Sequence, residues 1–186
     1  MSRAVPAAAV LAGGLLLAGC AAGGDSPAGL PGPVPDDVSF PEPPATAPPA
    51  PDFDLDLLGG EHFEAAAQWS ERPLVLVFFE SWCEPCGEQQ PEINRLAEEY
   101  GDAVLFLGIA GLSDEEGVRD YLREHDVVYP VGIDAGGEVW LDYAAEEPPL
   151  VALVTKGGRV ARGWPGGIDA DQLREQIDTV LVTGAG

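Results

Sequence analysis

The chain has 186 residues, 46% of them hydrophobic, and sets 9 lysines and arginines against 32 aspartates and glutamates for a formal charge of −23. The apolar share is ordinary for a globular domain, and the length suits one domain plus a tail. So acidic a chain is repelled by nucleic acid and by anionic lipid surfaces, which excludes both as direct partners and favours a monomer. Three cysteines occur, Cys20, Cys83 and Cys86, and the odd count requires a use for the one left over.

Residues 1–20 carry an early basic residue, Arg3, then an Ala/Val/Leu/Gly run that ends in Leu17-Ala18-Gly19-Cys20. The run is short for a membrane span and ends in small residues, which reads as a secretory signal. Leu-Ala-Gly-Cys resembles the bacterial lipobox, whose cysteine is lipid-modified and becomes the first mature residue. Acylation with more than one chain gives stable anchoring, so Cys20 is the expected lipidation site and the extracytoplasmic face of the cell membrane the expected location. The plainer alternative is an ordinary cleaved signal with a stray cysteine. Residues 21–51 hold ten prolines, four glycines and six alanines without apolar periodicity, and read as a disordered tether. Residues 52–186 are the expected folded domain.

Within that domain Phe53–Leu57 alternates as a strand and Phe63–Trp69 reads as a short helix. Leu74–Phe79 is a continuous apolar run, too short for a typical helix and rich in β-branched and aromatic residues: a buried strand. After Cys86, Ile93, Leu96, Ala97 and Tyr100 keep helical spacing, Pro91 should kink the helix, and Gly101 caps it. Val104–Ile109 is another buried strand. Ser113-x-x-Glu116 is the spacing of a capping box opening a helix through Val118, Tyr121 and Leu122. Val127–Ile133 is a strand broken by Pro130, and Leu150–Val154 a strand turned by Lys156-Gly157-Gly158 into Arg159–Arg162. Asp169 and Gln172 cap a last helix through Leu173, Ile177, Val180 and Leu181, with Ile168 stapling onto Leu173. Alternating strands and helices make the class α/β with a mixed central sheet flanked by helices.

Between the Leu74–Phe79 strand and the helix lies Trp82-Cys83-Glu84-Pro85-Cys86. Two cysteines three residues apart in a first helical turn face the same side, so one can attack a disulfide and the other resolve the product. The unpaired N–H groups of that turn favour a thiolate on the first. This is a redox site.

With that turn and the Pro149 strand in place, the domain resembles the thioredoxin superfamily, and more narrowly the membrane-tethered TlpA/ResA-type thiol–disulfide oxidoreductases related to the AhpC/TSA group. The resemblance runs from about Phe53 to Leu181. It rests on the Trp-Cys-Glu-Pro-Cys turn after a strand and on Pro91, five residues past Cys86. It rests also on Tyr129-Pro130-Val131 and Asp134 in what looks like the TlpA-type central insertion, and on Pro149 before the Leu150–Val154 strand. The 63-residue interval from Cys86 to Pro149 leaves room for that insertion. The resemblance implies a thioredoxin-like fold, an exposed nucleophile at Cys83, a buried resolving thiol at Cys86, and a cis Pro149. That proline would set a backbone edge near Cys83 for an extended substrate peptide, with Trp82 shaping the same face. It implies no cofactor beyond the Cys83–Cys86 disulfide and no metal. Its implied partners are disulfide-bearing exported proteins such as apocytochrome c, with a membrane thiol carrier as electron donor.

Three positions depart from the family pattern. Gln89 stands where ResA-like reductases carry a glutamate. Glu80 occupies a strand-end position that is usually small, and Glu88 lies beside Gln89; either can replace the missing carboxylate, though each reads first as a solvated surface acid. Pro148 lacks the N–H that would otherwise bond substrate. Glu84 and the acidic surroundings disfavour a Cys83 thiolate, which lowers the potential and agrees with the reducing direction the resemblance implies. A dithiol oxidase or isomerase would use the same residues with another potential and partner. A metal-binding module would need a histidine beside the thiols; His62 and His125 both read as surface residues.

Overall fold

The computed structural model describes Met1 and residues 28–183. The signal run and Cys20 lie outside the described residues. The first two strands, β1 (Asp54–Asp56) and β2 (His62–Glu64), form an antiparallel hairpin. Helix α1 (Ala65–Glu71) leads into β3 (Leu74–Phe79), and α2 (Glu84–Tyr100) follows. Next come β4 (Leu105–Ala110), α3 (Glu115–Glu124), β5 (Val131–Ile133) and the short α4 (Glu138–Asp142). The chain ends with β6 (Leu150–Thr155), β7 (Arg159–Pro165) and α5 (Ala170–Gln176), whose last turn widens over Ile177–Leu181.

The main sheet has the order β5-β4-β3-β6-β7. Strand β3 is central, parallel to β4 and antiparallel to β6, and all six of its residues are buried. Its alternate side chains point to opposite faces. Val75, Val77 and Phe79 meet Ile93 and Leu96 of α2, Val118 of α3 and Leu173 of α5 in one core. Leu74, Leu76 and Phe78 meet Phe63, Ala65 and Trp140 in the other. A strand covered on both faces has no polar side to show, hence its unbroken apolar sequence. This is the thioredoxin-like arrangement of a mixed sheet flanked by helices.

Several elements differ from their sequence expectations. Phe63 belongs to β2, and the helix starts two residues later. Residues 127–130 do not join the sheet, so β5 begins only after Pro130. Helix α2 continues through Pro91 over 17 residues and ends at Gly101, whose φ of 47° suits a residue without Cβ. Helix α3 is capped by Asp114, which accepts the Gly117 N–H at 2.8 Å, and not by Ser113. Aspartate at the next position competes for the same orphan donors, which frees the Ser113 hydroxyl for another use.

The larger correction concerns residues 28–51, expected to be part of a disordered tether. They lie against the domain as a strap. Val38 and Phe40 pack on the α2-side core, Leu30 and Ala50 on the other, and Ala47 is buried. The strap pairs with β7, the edge of the sheet: Ala50 N–H donates to Gly158 O and Val160 N–H to Pro48 O, at 2.9 and 3.0 Å. Arg72 holds it further along, donating to the carbonyls of Gly32 and Asp102. The composition showed that this segment cannot build its own core; it borrows the domain's. Prolines keep it extended, and their carbonyls still accept from an edge strand that would otherwise stay unpaired. Native-state hydrogen exchange checks this contact. The Ala50 and Val160 amides should exchange at least ten times slower than an unstructured peptide, whereas a free tether would leave Ala50 at the unstructured rate.

Candidate functional site

Strand β3 ends at Phe79, and α2 begins after four intervening residues, so the site sits where the central strand hands over to a helix. Cys83 is the N-cap of α2, and its Sγ accepts the Cys86 N–H at 3.2 Å. Gly87 N–H donates to Cys83 O at 3.2 Å, closing the first turn. Cys83 and Cys86 are joined as a disulfide with Cα atoms 5.3 Å apart. Helical geometry brings two residues at this spacing to one face, close enough to bridge without bending the backbone.

Cys83 was expected to be exposed and Cys86 buried, yet their exposures are 5% and 4%. In the disulfide the Cys83 sulfur turns inward over the helix end, where the Cys86 amide meets it. Access is nonetheless unequal. Cys83 lines an open cleft of about 430 Å³ together with Trp82, Glu84, Glu88, Tyr121 and His125, and Cys86 does not. Trp82, 69% exposed, stands at the rim. Pro149 immediately precedes Leu150, which pairs with Phe78, so it lies level with the end of β3 from which the cysteine turn departs. The Pro148–Pro149 bond is cis, and the Pro149 carbonyl accepts the Gly166 N–H at 2.7 Å. Pro149 is buried and Pro148 half-buried.

Glu80 is not a surface acid. It is 2% exposed, with Oε1 accepting the Leu112 N–H at 2.7 Å and Oε2 the Ser113 hydroxyl at 2.5 Å. Ser113 Oγ in turn accepts the Ser81 N–H at 2.8 Å. The released cap residue and the strand-end acid thus stitch the β4–α3 loop to the cysteine turn. An acid that directly follows six buried residues was the sequence signal that a solvated role was the wrong first reading. Glu88 and Glu84 are exposed and line the cleft. Gln89 bonds to the β7–α5 loop: its Oε1 accepts the Ile168 N–H at 3.3 Å and its amide reaches Gly166 O, tying α2 to that loop. His125, read from the sequence as a surface residue, is half-buried at the end of α3, where the fold carries it into the Cys83 cleft. Among the described residues no three His, Cys, Asp or Glu side chains gather as a metal-ligand set.

Residues 47–162 match the family model described as the AhpC/TSA family, more than half of the chain. The chain belongs to the AhpC/TSA family. A relative named thiol-disulfide oxidoreductase ResA, from Bacillus thuringiensis subsp. konkukian, is 28% identical over 133 residues, covering 71% of this chain and 74% of its own. The thioredoxin-like protein YneN of Bacillus subtilis is 26% identical over 132 residues, covering 69% of this chain and 76% of its own. A secreted Mycobacterium tuberculosis disulfide oxidoreductase, described as homologous to E. coli DsbE, superposes with a TM-score of 0.63 at 23% identity, over 69% of this chain and 96% of that one. The exposed lipoprotein thioredoxin Etrx1 of Streptococcus pneumoniae does so with a TM-score of 0.63 at 22% identity, over 70% of this chain and all of that one. With a disulfide at the mouth of α2, this member of the family is a ResA-like thiol–disulfide oxidoreductase.

Beneath the cleft, Gln90 is buried and its Oε1 accepts the Tyr129 hydroxyl at 3.0 Å, with Tyr121 at 3.4 Å. Burial pushes both phenols above their ordinary ionisation range, Tyr129 against a smaller opposing pull from its bond to Gln90. A phenol raised above its unfolded value adds stability that is fully present below the unfolded pKa of about 10 and is lost as pH climbs above it. Two outcomes follow. In alkaline titration the native protein should hold back phenolate absorbance at pH 10–11, with stability falling steadily above pH 10. Glu80→Ala should lower the urea midpoint by the equivalent of about 1–3 kcal/mol at unchanged m, because two buried donors lose their acceptor, and Glu80→Gln should lower it less.

Proposed function

We propose that this protein is a membrane-tethered extracytoplasmic disulfide reductase that acts on exported proteins. The observation that carries the reading is the Cys83–Cys86 disulfide at the start of α2, with Cys83 lining an open cleft near the end of the central strand. Reduced Cys83 attacks a substrate disulfide as a thiolate; a Cys83–substrate bond forms and one substrate sulfur leaves. Cys86 then attacks Cys83, the second substrate sulfur leaves, and the Cys83–Cys86 bond is restored. Two electrons and two protons pass to the substrate, and a membrane thiol carrier returns them to the protein. The disulfide form described above is the end of one such turnover.

The reducing direction is supported by the cleft's charge. Glu84, Glu88 and Glu124 line it, and a field that disfavours the thiolate destabilises the reduced form and lowers the potential. A protein substrate is supported by apolar side chains left exposed on the cysteine turn and on the loop stitched to it. Trp82 is 69% exposed, and Leu112, 83% exposed, stands on that loop. Pro149 lies level with the end of β3, and Pro148, without an N–H, leaves a looser grip than a donor at that position would give. Tethering rests on the signal-like residues 1–20 and the lipobox-like Cys20; one similar structure is described as an exposed lipoprotein thioredoxin and another as secreted. Apocytochrome c is the substrate that the ResA-like resemblance implies.

Cys86→Ser should accumulate mixed disulfides through Cys83, identifiable by diagonal electrophoresis, while Cys83→Ser should trap none. The potential should lie well below about −120 mV, the strongly oxidising end of the thioredoxin-like range. A value at that end would reassign the protein as an oxidase.

A further inference from the structure

The imidazole of His125 occupies the same cleft as Cys83, carried there from the far end of α3. It is seated rather than loose. Its ring lies 4.4 Å from that of Tyr121, and Asn94 of α2 donates to its backbone carbonyl at 2.9 Å. It rests directly on Gly87, one turn beyond Cys83: a Cβ at that position would sit 2.7 Å from His125 Cε1. The absence of a side chain at 87 is what lets the ring approach the cysteine turn. The charges facing it are all negative, Glu84 and Glu88 from α2 and Glu124 from α3, with the neutral Tyr121 beneath it. Asp126 follows it in the chain. Among the described residues, His125 is therefore the single group lining this cleft that can take a positive charge, in a chain of net charge −23.

We infer that His125 is the proton-holding group for Cys83, an inference that rests on the disulfide-exchange reading above. A protonated imidazole in this cleft offsets the field of its three carboxylates at the sulfur. When Cys83 attacks, its S–H proton passes through the solvent of the cleft to His125. The substrate S–S bond breaks as the Cys83–substrate bond forms, and the departing substrate thiolate takes that proton back. Electrons and protons balance without another reactant. Histidine suits the task because its ordinary ionisation falls between pH 5 and 8. The acidic surface can then keep the potential low while the nucleophile remains competent at neutral pH.

The test is the pH profile of Cys83 alkylation by iodoacetamide in the reduced full-length protein, read by tandem mass spectrometry whose fragment ions place the label on Cys83 rather than on Cys86. Wild type should show two ionisations, since coupled sites titrate as a pair. His125→Phe keeps a ring to stack on Tyr121 but holds no proton. It should give a single ionisation at higher pH, with a rate at pH 6.5 reduced about three- to tenfold, tenfold corresponding to one pKa unit of the thiol. Should that variant not fold, Gly87→Ala carries the same test by displacing the imidazole, with the same direction of change. A His125→Phe profile that superimposes on wild type shows that the ring only packs, and overturns the inference. Failure of wild type to reduce insulin, with the two-step profile intact, would instead overturn the reductase reading and leave the His125–Cys83 coupling standing.

Discussion

Strand β3 is the constraint from which the site follows. It is hydrogen-bonded on one side to β4 and on the other to β6, and buried on both faces, so its end point cannot drift without unpairing the centre of the sheet. The chain then has four residues in which to turn from strand to helix, and Cys83 is the last of them. A sulfur held in that position meets the free N–H groups at the start of α2, and the Cys86 amide already points at it. Its reactivity is thus a property of the strand-to-helix junction more than of either cysteine alone.

Around this junction the protein sets charges of opposite effect. The helix start favours negative sulfur, while Glu84, Glu88 and Glu124 oppose it from the walls of the cleft. Glu80, the acid nearest in sequence to the strand end, is removed from that contest: both its oxygens are occupied by the β4–α3 loop. A buried carboxylate left without donors would be costly, and the donors it takes come from a loop that otherwise has little to fix it. The same bonds that satisfy the acid hold the loop that carries the exposed Leu112.

The strap shows a similar economy at the opposite edge of the sheet. Strand β7 would present unpaired backbone groups to solvent, a pairing hazard. A proline-rich segment can accept from such an edge but offers few donors of its own, so it covers the edge without extending the sheet. The chain is held against the domain from Leu30 onward.

Much of this was legible in the order of residues. The strands of the core could be read because a strand buried on both sides has to be apolar throughout, and the redox pair because helical spacing alone brings residues 83 and 86 together. Pro149 could be placed by its position before such a strand. What the sequence could not supply was contact between distant segments. Ser113 had the spacing of a cap until Asp114 took the helix and Glu80 took the serine. Gln89 turned to the β7–α5 loop, residues 28–51 found a core that was not their own, and His125 reached the cysteine cleft only because Gly87 left the space for it. Local rules determine which elements form, since they depend on neighbours along the chain; which side chains share a buried pocket is decided by how those elements pack, and no periodicity records that.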